Sequence, residues 1–327
     1  MKRLHILLLA LGLSFFGYLL WSIGIQQLRG ELALIGWGLI PLMLGEGVAE
    51  MIHTLGWRHC LSSPLRSLPW RTLFGIRMAG YAINYVTPTA TLGGEVTKGA
   101  LLAAHCCGAE AASGVLIGKL SFALGHLLFV ALGAVVIVWQ VQLPGTLLAA
   151  MLLSGGLVAS GVIAFLWLQK YGKLGALVRW LAARKVGGRP LETAACELTV
   201  VDEAMKQFYR EQPWGLPLAV IWHLVAYSVG IAQTWLFFHL LRQDASWSLA
   251  AGVWFLGMWF DLLTFAIPLN LGALEGTRIV ACKAIGYTAL AGMTYGVVIR
   301  LSQIFWSGFG LAAYALLAAR AKPRTCR

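Results

Sequence analysis

The chain has 327 residues, of which 59% are hydrophobic and only 12% charged, with 14 tryptophans. Soluble domains hold about 45–50% apolar residues, so this composition excludes a disordered tail, a collagen-like fibre and a disulfide scaffold, and with 169–213 as the one long polar stretch it argues against an independent soluble catalytic domain. The net charge of +12 comes with no basic stripe interleaved with aromatics on a soluble face, and it reads as membrane loops rather than a nucleic-acid partner.

Residues 4–25 follow Lys2 and Arg3 as an apolar run. It is longer than the roughly 7–15-residue core of a signal peptide and has no A-x-A-like site, which predicts a retained span. Further runs at 32–55, 111–139, 145–168, 214–241 and 288–319 are long enough to cross about 30 Å of hydrocarbon. Trp21, Trp57, Trp139, Trp214 and Trp247 fall near span ends, as an interfacial belt requires.

Two other apolar regions are interrupted. Residues 72–105 contain Pro88, Gly93 and Gly94, and residues 248–285 contain Pro268 and Gly272. Proline stops a helical arm and glycine lets the chain turn tightly, so each region predicts either a re-entrant hairpin or a pair of crossing helices. Arms of about fifteen residues would reach roughly 22 Å. In between, 169–213 opens with Leu174, Leu177, Val178 and Leu181 set against Lys173, Arg179 and Arg184. That pattern suits a helix lying on an anionic leaflet, with 191–210 packed back on it.

With the N-terminus inside, seventeen basic loop residues lie on the inner side, against Arg29 and Arg242 outside. The asymmetry predicts cytoplasmic N- and C-termini. The resulting expectation is an all-α polytopic membrane protein, a single domain over 1–327. It has about six full spans plus two oppositely oriented broken or re-entrant helical hairpins.

The two hairpins also match in sequence. Each reads proline, six residues, glutamate, two residues and a cation: Pro88, Glu95 and Lys98 in one, Pro268, Glu275 and Arg278 in the other. Matching motifs in oppositely oriented units make an inverted repeat, the architecture of secondary transporters. Freed amides and a positive helix end suit an anionic ligand there.

Eleven charged residues remain inside apolar regions: Arg77, Lys98, Lys119, Arg278, Lys283, Arg300, Glu46, Glu50, Glu95, Asp261 and Glu275. Each costs at least about 2.5–3.5 kcal/mol near the bilayer centre, so they require pairing, a hydrated cavity, or both. Glu95–Lys98 and Glu275–Arg278 are i,i+3 neighbours on one helical face. Pairing there has two readings: neutral locks for the hairpins, or a site that holds a phosphate on Lys98 and Arg278 while the glutamates act as alternating partners or proton carriers. Glu46, Glu50 and His53 share one face and read as a proton path, a headgroup wall or a simply hydrated edge. His126 reads as a hydrogen-bonded packing residue. Arg300 needs a counter-charge or a lipid phosphate.

The six cysteines show no paired spacing, and His105-Cys106-Cys107 has poor geometry for a metal. No cofactor and no metal are expected.

Gly80-Tyr81 and Asn84, followed by Gly93-Gly94-Glu95 and Lys98, resemble the first signature of the lysylphosphatidylglycerol synthase transmembrane-region family. Pro268 to Gly286, with Gly272-Ala-Leu-Glu275-Gly, resembles its second, and the final span with Arg300 also fits. The resemblance covers nearly the whole chain, although the specific motifs occupy only about fifty residues. It implies a flippase-like integral membrane domain in a bacterial inner membrane, with Glu95, Lys98, Glu275, Arg278 and Arg300 as its polar centre. It is similar to the stand-alone members linked to hopanoid or polyprenyl-glycan pathways, the hopanoid-associated branch in particular. A soluble aminoacyl-transferase domain is missing, which implies a transporter of an anionic or polyprenyl-phosphate-linked lipid rather than an enzyme. The alternatives are a non-catalytic partner of a lipid or glycan biosynthetic enzyme and a membrane-embedded headgroup transferase.

Overall fold

Gly24, at φ 93°, separates the opening helix α1 (Lys2–Ile23) from α2 (Ile25–Ile35), a backbone conformation that glycine adopts without steric cost. The computed structural model describes residues 2–87, 92–140, 145–171, 173–184, 189–264, 267 and 270–320. Pro88 and Pro268, expected to break the hairpins, lie outside the described residues.

A 3₁₀ turn at Gly36–Gly38 leads into α3 (Leu39–Arg58) and a short α4 (Ser63–Arg66). The first hairpin is α5 (Trp70–Val86) and α6 (Leu92–Ala103). The long helices α7 (Gly108–Gln140) and α8 (Gly145–Lys170) precede the connector, α9 (Leu174–Ala183) and α10 (Arg189–Glu211). After α11 (Gly215–Leu240) comes the second hairpin, α12 (Trp247–Thr264) and α13 (Ala273–Ile285), and then α14 (Ala289–Arg320). No strand occurs among the described residues.

Among the described residues six stretches are long and apolar enough to cross a membrane: Ile25–Arg58, Gly108–Val135, Leu148–Lys170, Gly215–Leu240, Trp247–Thr264 and Ala289–Ala319. The protein is an all-α, multi-pass membrane protein. Helix α8 leaves Leu152, Leu153, Leu157 and Ile163 exposed, a surface fit for hydrocarbon rather than water.

The hairpin arms are unequal. The first arms have 17 and 18 residues and the second arms 12 and 13, or about 26–27 Å against 18–20 Å of helix. The longer arms exceed the expected fifteen residues, and α12 alone has the length of a span.

The packing pairs repeat between the two halves. Helix α3 packs along α11, α5 on α14 and α12 on α7. Helix α6 contacts both α5 and α7, as α13 contacts both α12 and α14, and α14 touches α3 as α7 touches α11. Exchanging α3 with α11, α5 with α12, α6 with α13 and α7 with α14 maps this set of contacts onto itself.

Two large apolar clusters pack the bundle, and each draws on both halves, the first taking in Leu42 and Phe129 and the second Ala219. The first also gathers Phe237, Phe238, Leu256 and Tyr295, and the second Trp57, Leu61, Ile76, Leu102 and Ile117. The connector joins the second core through Met205 and Phe208 of α10. Helix α10 packs back on α9 as expected, and the Asp202 carboxylate accepts the Gly175 amide at 2.8 Å.

Candidate functional site

Eight of the eleven intramembrane charges line two neighbouring cavities. A cavity of about 230 Å³ is lined by Glu46, Glu50, His53, Asp261, Arg278 and Tyr295, among others. A second, of about 290 Å³, is lined by Glu50, Arg77, Asn84, Tyr85, Glu95, Lys98 and Lys119. Glu50, Tyr81, Phe122 and Gln303 border both. The first holds three carboxylates and one guanidinium, the second three cations and two carboxylates. We call them the acidic and the basic cavity.

Helix α5 brings Arg77 to the shared wall, where its Nε donates to Glu50 Oε2 at 2.8 Å. The Arg77 guanidinium also lies over the Phe122 ring, 5.7 Å from its centroid. In the basic cavity Lys98 Nζ lies 2.5 Å from Glu95 Oε2, and Lys119 Nζ lies 3.5 Å from Glu95 Oε1. Lys98 is buried and also faces the Trp57 ring at 5.5 Å. The i,i+3 spacing of Glu95 and Lys98 therefore gives the expected pair, to which α7 adds Lys119.

Close backbone approach holds this hairpin together. A Cβ on Gly94 would come within 2.1 Å of the Gly80 carbonyl, so α5 and α6 cross where neither has a side chain. The Gly94 amide donates to Asn84 Oδ1 at 2.6 Å, replacing one of the partners that the first turn of a helix lacks.

The second hairpin departs from the i,i+3 expectation. Glu275, fully buried, pairs with Arg300 of α14 through Nε–Oε1 and, at 3.0 Å, through Nη2–Oε2. Arg300 Nη2 also donates to the Asn270 carbonyl at 3.0 Å. That carbonyl lies in a turn where Asn270 has φ 49° and Gly272 φ 71°, a left-handed path that glycine follows readily. Arg278 instead makes a two-pronged pair with Asp261 of α12, at 3.2 and 2.8 Å. Its Nε, buried, has no hydrogen-bond partner among the described residues.

Lys98 and Arg278 thus line different cavities, and neither cavity is lined by Glu275 or Arg300. Arg300 has its required counter-charge in Glu275. Glu46, Glu50 and His53 all face the acidic cavity. Among the described residues Glu46 has no hydrogen-bond or ion-pair partner, and Glu50 and Asp261 line the same cavity beside it. His126 lies 3.0 Å from the Met258 carbonyl through Nε2, the packing role its position suggested. Gly93 takes its place in the first turn of α6, where its carbonyl accepts from Thr97. Among the described residues no group of three or more His, Cys, Asp or Glu side chains gathers as a metal site.

Sequence reasoning did not find His223. It lies fully buried in α11 with Nδ1 2.9 Å from His53 Nδ1. A histidine in the middle of an apolar span was the available signal, although its partner stands 170 positions away in the chain.

A family model, the lysylphosphatidylglycerol synthase TM region, matches residues 5–311, and the chain belongs to that family. Membership connects it with a role in membrane lipid biology. No curated protein and no solved structure matches the chain.

Proposed function

We propose that this member of the lysylphosphatidylglycerol synthase TM-region family translocates an anionic lipid, or a polyprenyl-phosphate-linked one, across the bacterial inner membrane. Both termini then face the cytoplasm. The observation that carries the reading is the basic cavity, lined by three cations, Arg77, Lys98 and Lys119, and two carboxylates, Glu50 and Glu95. A phosphate entering it takes the place of a carboxylate on these cations, so no cation is left bare before or after loading. The acyl or prenyl tails stay in lipid throughout.

The acidic cavity shares four wall residues with the basic one and serves as the next station. There the headgroup meets Arg278, whose free Nε–H offers a phosphate a donor that Asp261 does not occupy. Lys98 and Arg278 act in succession rather than as one clamp. The hairpins supply the positions, with Glu275–Arg300 bracing the second one from behind. The chain acts as a transporter and forms no bond in its substrate.

Movement of labelled anionic lipid across vesicles holding the purified protein tests this. The wild type should move the lipid, and Lys98→Met and Lys119→Gln, folded as judged by thermal unfolding, should lose that movement. No movement by wild type with any lipid or pH gradient would overturn translocation in favour of the partner reading. Product formed from donor and acceptor lipids would overturn it in favour of an enzyme.

A further inference from the structure

The acidic cavity has a second polar exit. His53 lines it, and His53 Nδ1 lies 2.9 Å from His223 Nδ1. His223 Nε2 lies 3.1 Å from Ser121 Oγ on α7; the Ser121 hydroxyl donates to the Gly118 carbonyl at 2.8 Å, and Cys60 Sγ donates to the same Ser121 oxygen at 3.3 Å. Cys60 in turn lines a third cavity, of about 230 Å³, together with Ser62, Glu110 and Gln212. That cavity also borders α10, so it opens on the side that carries the basic connector. His53 is 5% exposed, and His223, Ser121 and Cys60 are at 0%.

The path runs alongside two turns of α3, about 10 Å from position 53 to position 60. Phe122 and Tyr227 wall it, with ring centroids 5.0 and 4.8 Å from that of His53. The charged and titratable groups that face it are Arg77 of α5 and His126 of α7 toward His53, Arg77 and Lys98 of α6 toward His223, and Arg66 of α4 toward Cys60.

An Nδ1–Nδ1 contact needs one ring to donate and the other to accept. The pair therefore has two tautomeric arrangements. In one, His53 donates and His223 holds its proton on Nε2, toward Ser121. In the other, His223 donates to His53 and accepts the Ser121 hydroxyl proton. Passing from the first to the second requires one proton to move the length of the chain.

We infer that His53, His223, Ser121 and Cys60 form a proton path between the acidic cavity and the third cavity, and that lipid translocation is coupled to proton movement along it. This rests on the acidic cavity being part of the translocation route. A proton taken up at His53 Nε2 from a cavity carboxyl is matched by release of the Nδ1 proton to His223 Nδ1. The Ser121 hydroxyl turns from the Gly118 carbonyl toward Cys60 and the thiol hydrogen turns toward the third cavity; His223 then gives its Nε2 proton to Ser121 Oγ, Ser121 passes its own to Cys60, and the thiol proton leaves to water in the third cavity. Each group gains one proton and loses one, and rotation of the two rings resets the tautomers.

Proton flux into vesicles carrying a trapped pH dye, under an imposed pH gradient, tests the path on the full chain. His223→Gln, Ser121→Ala and Cys60→Ala should each lower the flux at least about tenfold, and Cys60→Ser should restore it relative to Cys60→Ala. Should His223→Gln fail to fold, the two small side-chain changes carry the test. Wild-type flux equal to that of protein-free vesicles overturns the path, as does wild-type flux in folded Ser121→Ala. Lipid movement without proton flux refutes the path and leaves translocation standing. Proton flux without movement of any lipid refutes translocation and leaves the path.

Discussion

Glu275 accepts both of its ion-pair contacts from Arg300, on the following helix, and none from Arg278, one turn away on its own helix. Glu95 likewise takes a cation from its following helix, Lys119, besides its own neighbour Lys98. In both halves the long helix after the hairpin anchors the hairpin's glutamate. Removing one member of a buried pair leaves an uncompensated charge and costs about 3–5 kcal/mol. Glu275→Gln and Arg300→Met should each destabilise the protein in equilibrium unfolding in detergent, and the double variant should cost much less than their sum. Glu275→Gln combined with Asp261→Asn should instead be additive within about 0.5 kcal/mol. Strong coupling between positions 275 and 261 would refute the assignment of partners.

Arg278 holds Asp261 through two nitrogens of one planar fork, a geometry that an ammonium cannot reproduce. Arg278→Lys should therefore lose one of the two contacts, with about 1.5–3 kcal/mol of stability. Lipid movement should fall with it, because a lysine also lacks the Nε–H offered to the headgroup. Wild-type stability and transport in Arg278→Lys would show that only the charge at this position matters.

The bilayer makes part of this structure readable from sequence. Hydrocarbon thickness fixes the length of a span, and insertion cost makes every intramembrane charge conspicuous, so the helices and the charged residues between them are legible. Partner choice is not. The i,i+3 rule selects Glu95–Lys98 correctly and Glu275–Arg278 wrongly, because a local rule cannot see that α14 places Arg300 beside Glu275. Glu50–Arg77 and His53–His223 depend on the register between packed helices, which periodicity within one helix does not encode. Arm length was underestimated for a related reason: the glycines of the second arms lie after the break, and the first arms continue as regular helix up to it.

Crossing of α5 and α6 depends on Gly80 and Gly94. Gly94→Ala would place a methyl group 2.1 Å from the Gly80 carbonyl oxygen, a contact that only backbone movement relieves. Overpacking of this kind costs about 1–3 kcal/mol, and here it would also pull the Gly94 amide off Asn84. Gly99→Ala, on the same helix with no atom within 4 Å of the added carbon, should be neutral or slightly stabilising through helix propensity. Unfolding measurements on the two variants side by side check this. Equal stabilities would mean that the hairpin arms do not touch at Gly94.

Cys60 sits just beyond the Ile25–Arg58 span, and burial pushes its thiol up to about 12, against the smaller opposing effects of the Ser121 contact and Arg66. The thiolate is the reactive form. At pH 8 a thiol raised that far is ionised in only about one molecule in ten thousand, whereas an ordinary exposed thiol is ionised in roughly a quarter. Cys107 is exposed. In variants that keep a single cysteine, maleimide should label Cys107 within minutes at pH 8 and leave Cys60 untouched until the protein is unfolded. Raising the pH to 9 should speed the first reaction about threefold, while the Cys60 thiolate rises about tenfold yet stays near one molecule in a thousand. Labelling of folded Cys60 at a rate comparable with Cys107 would mean that the third cavity admits bulk solvent to the sulfur.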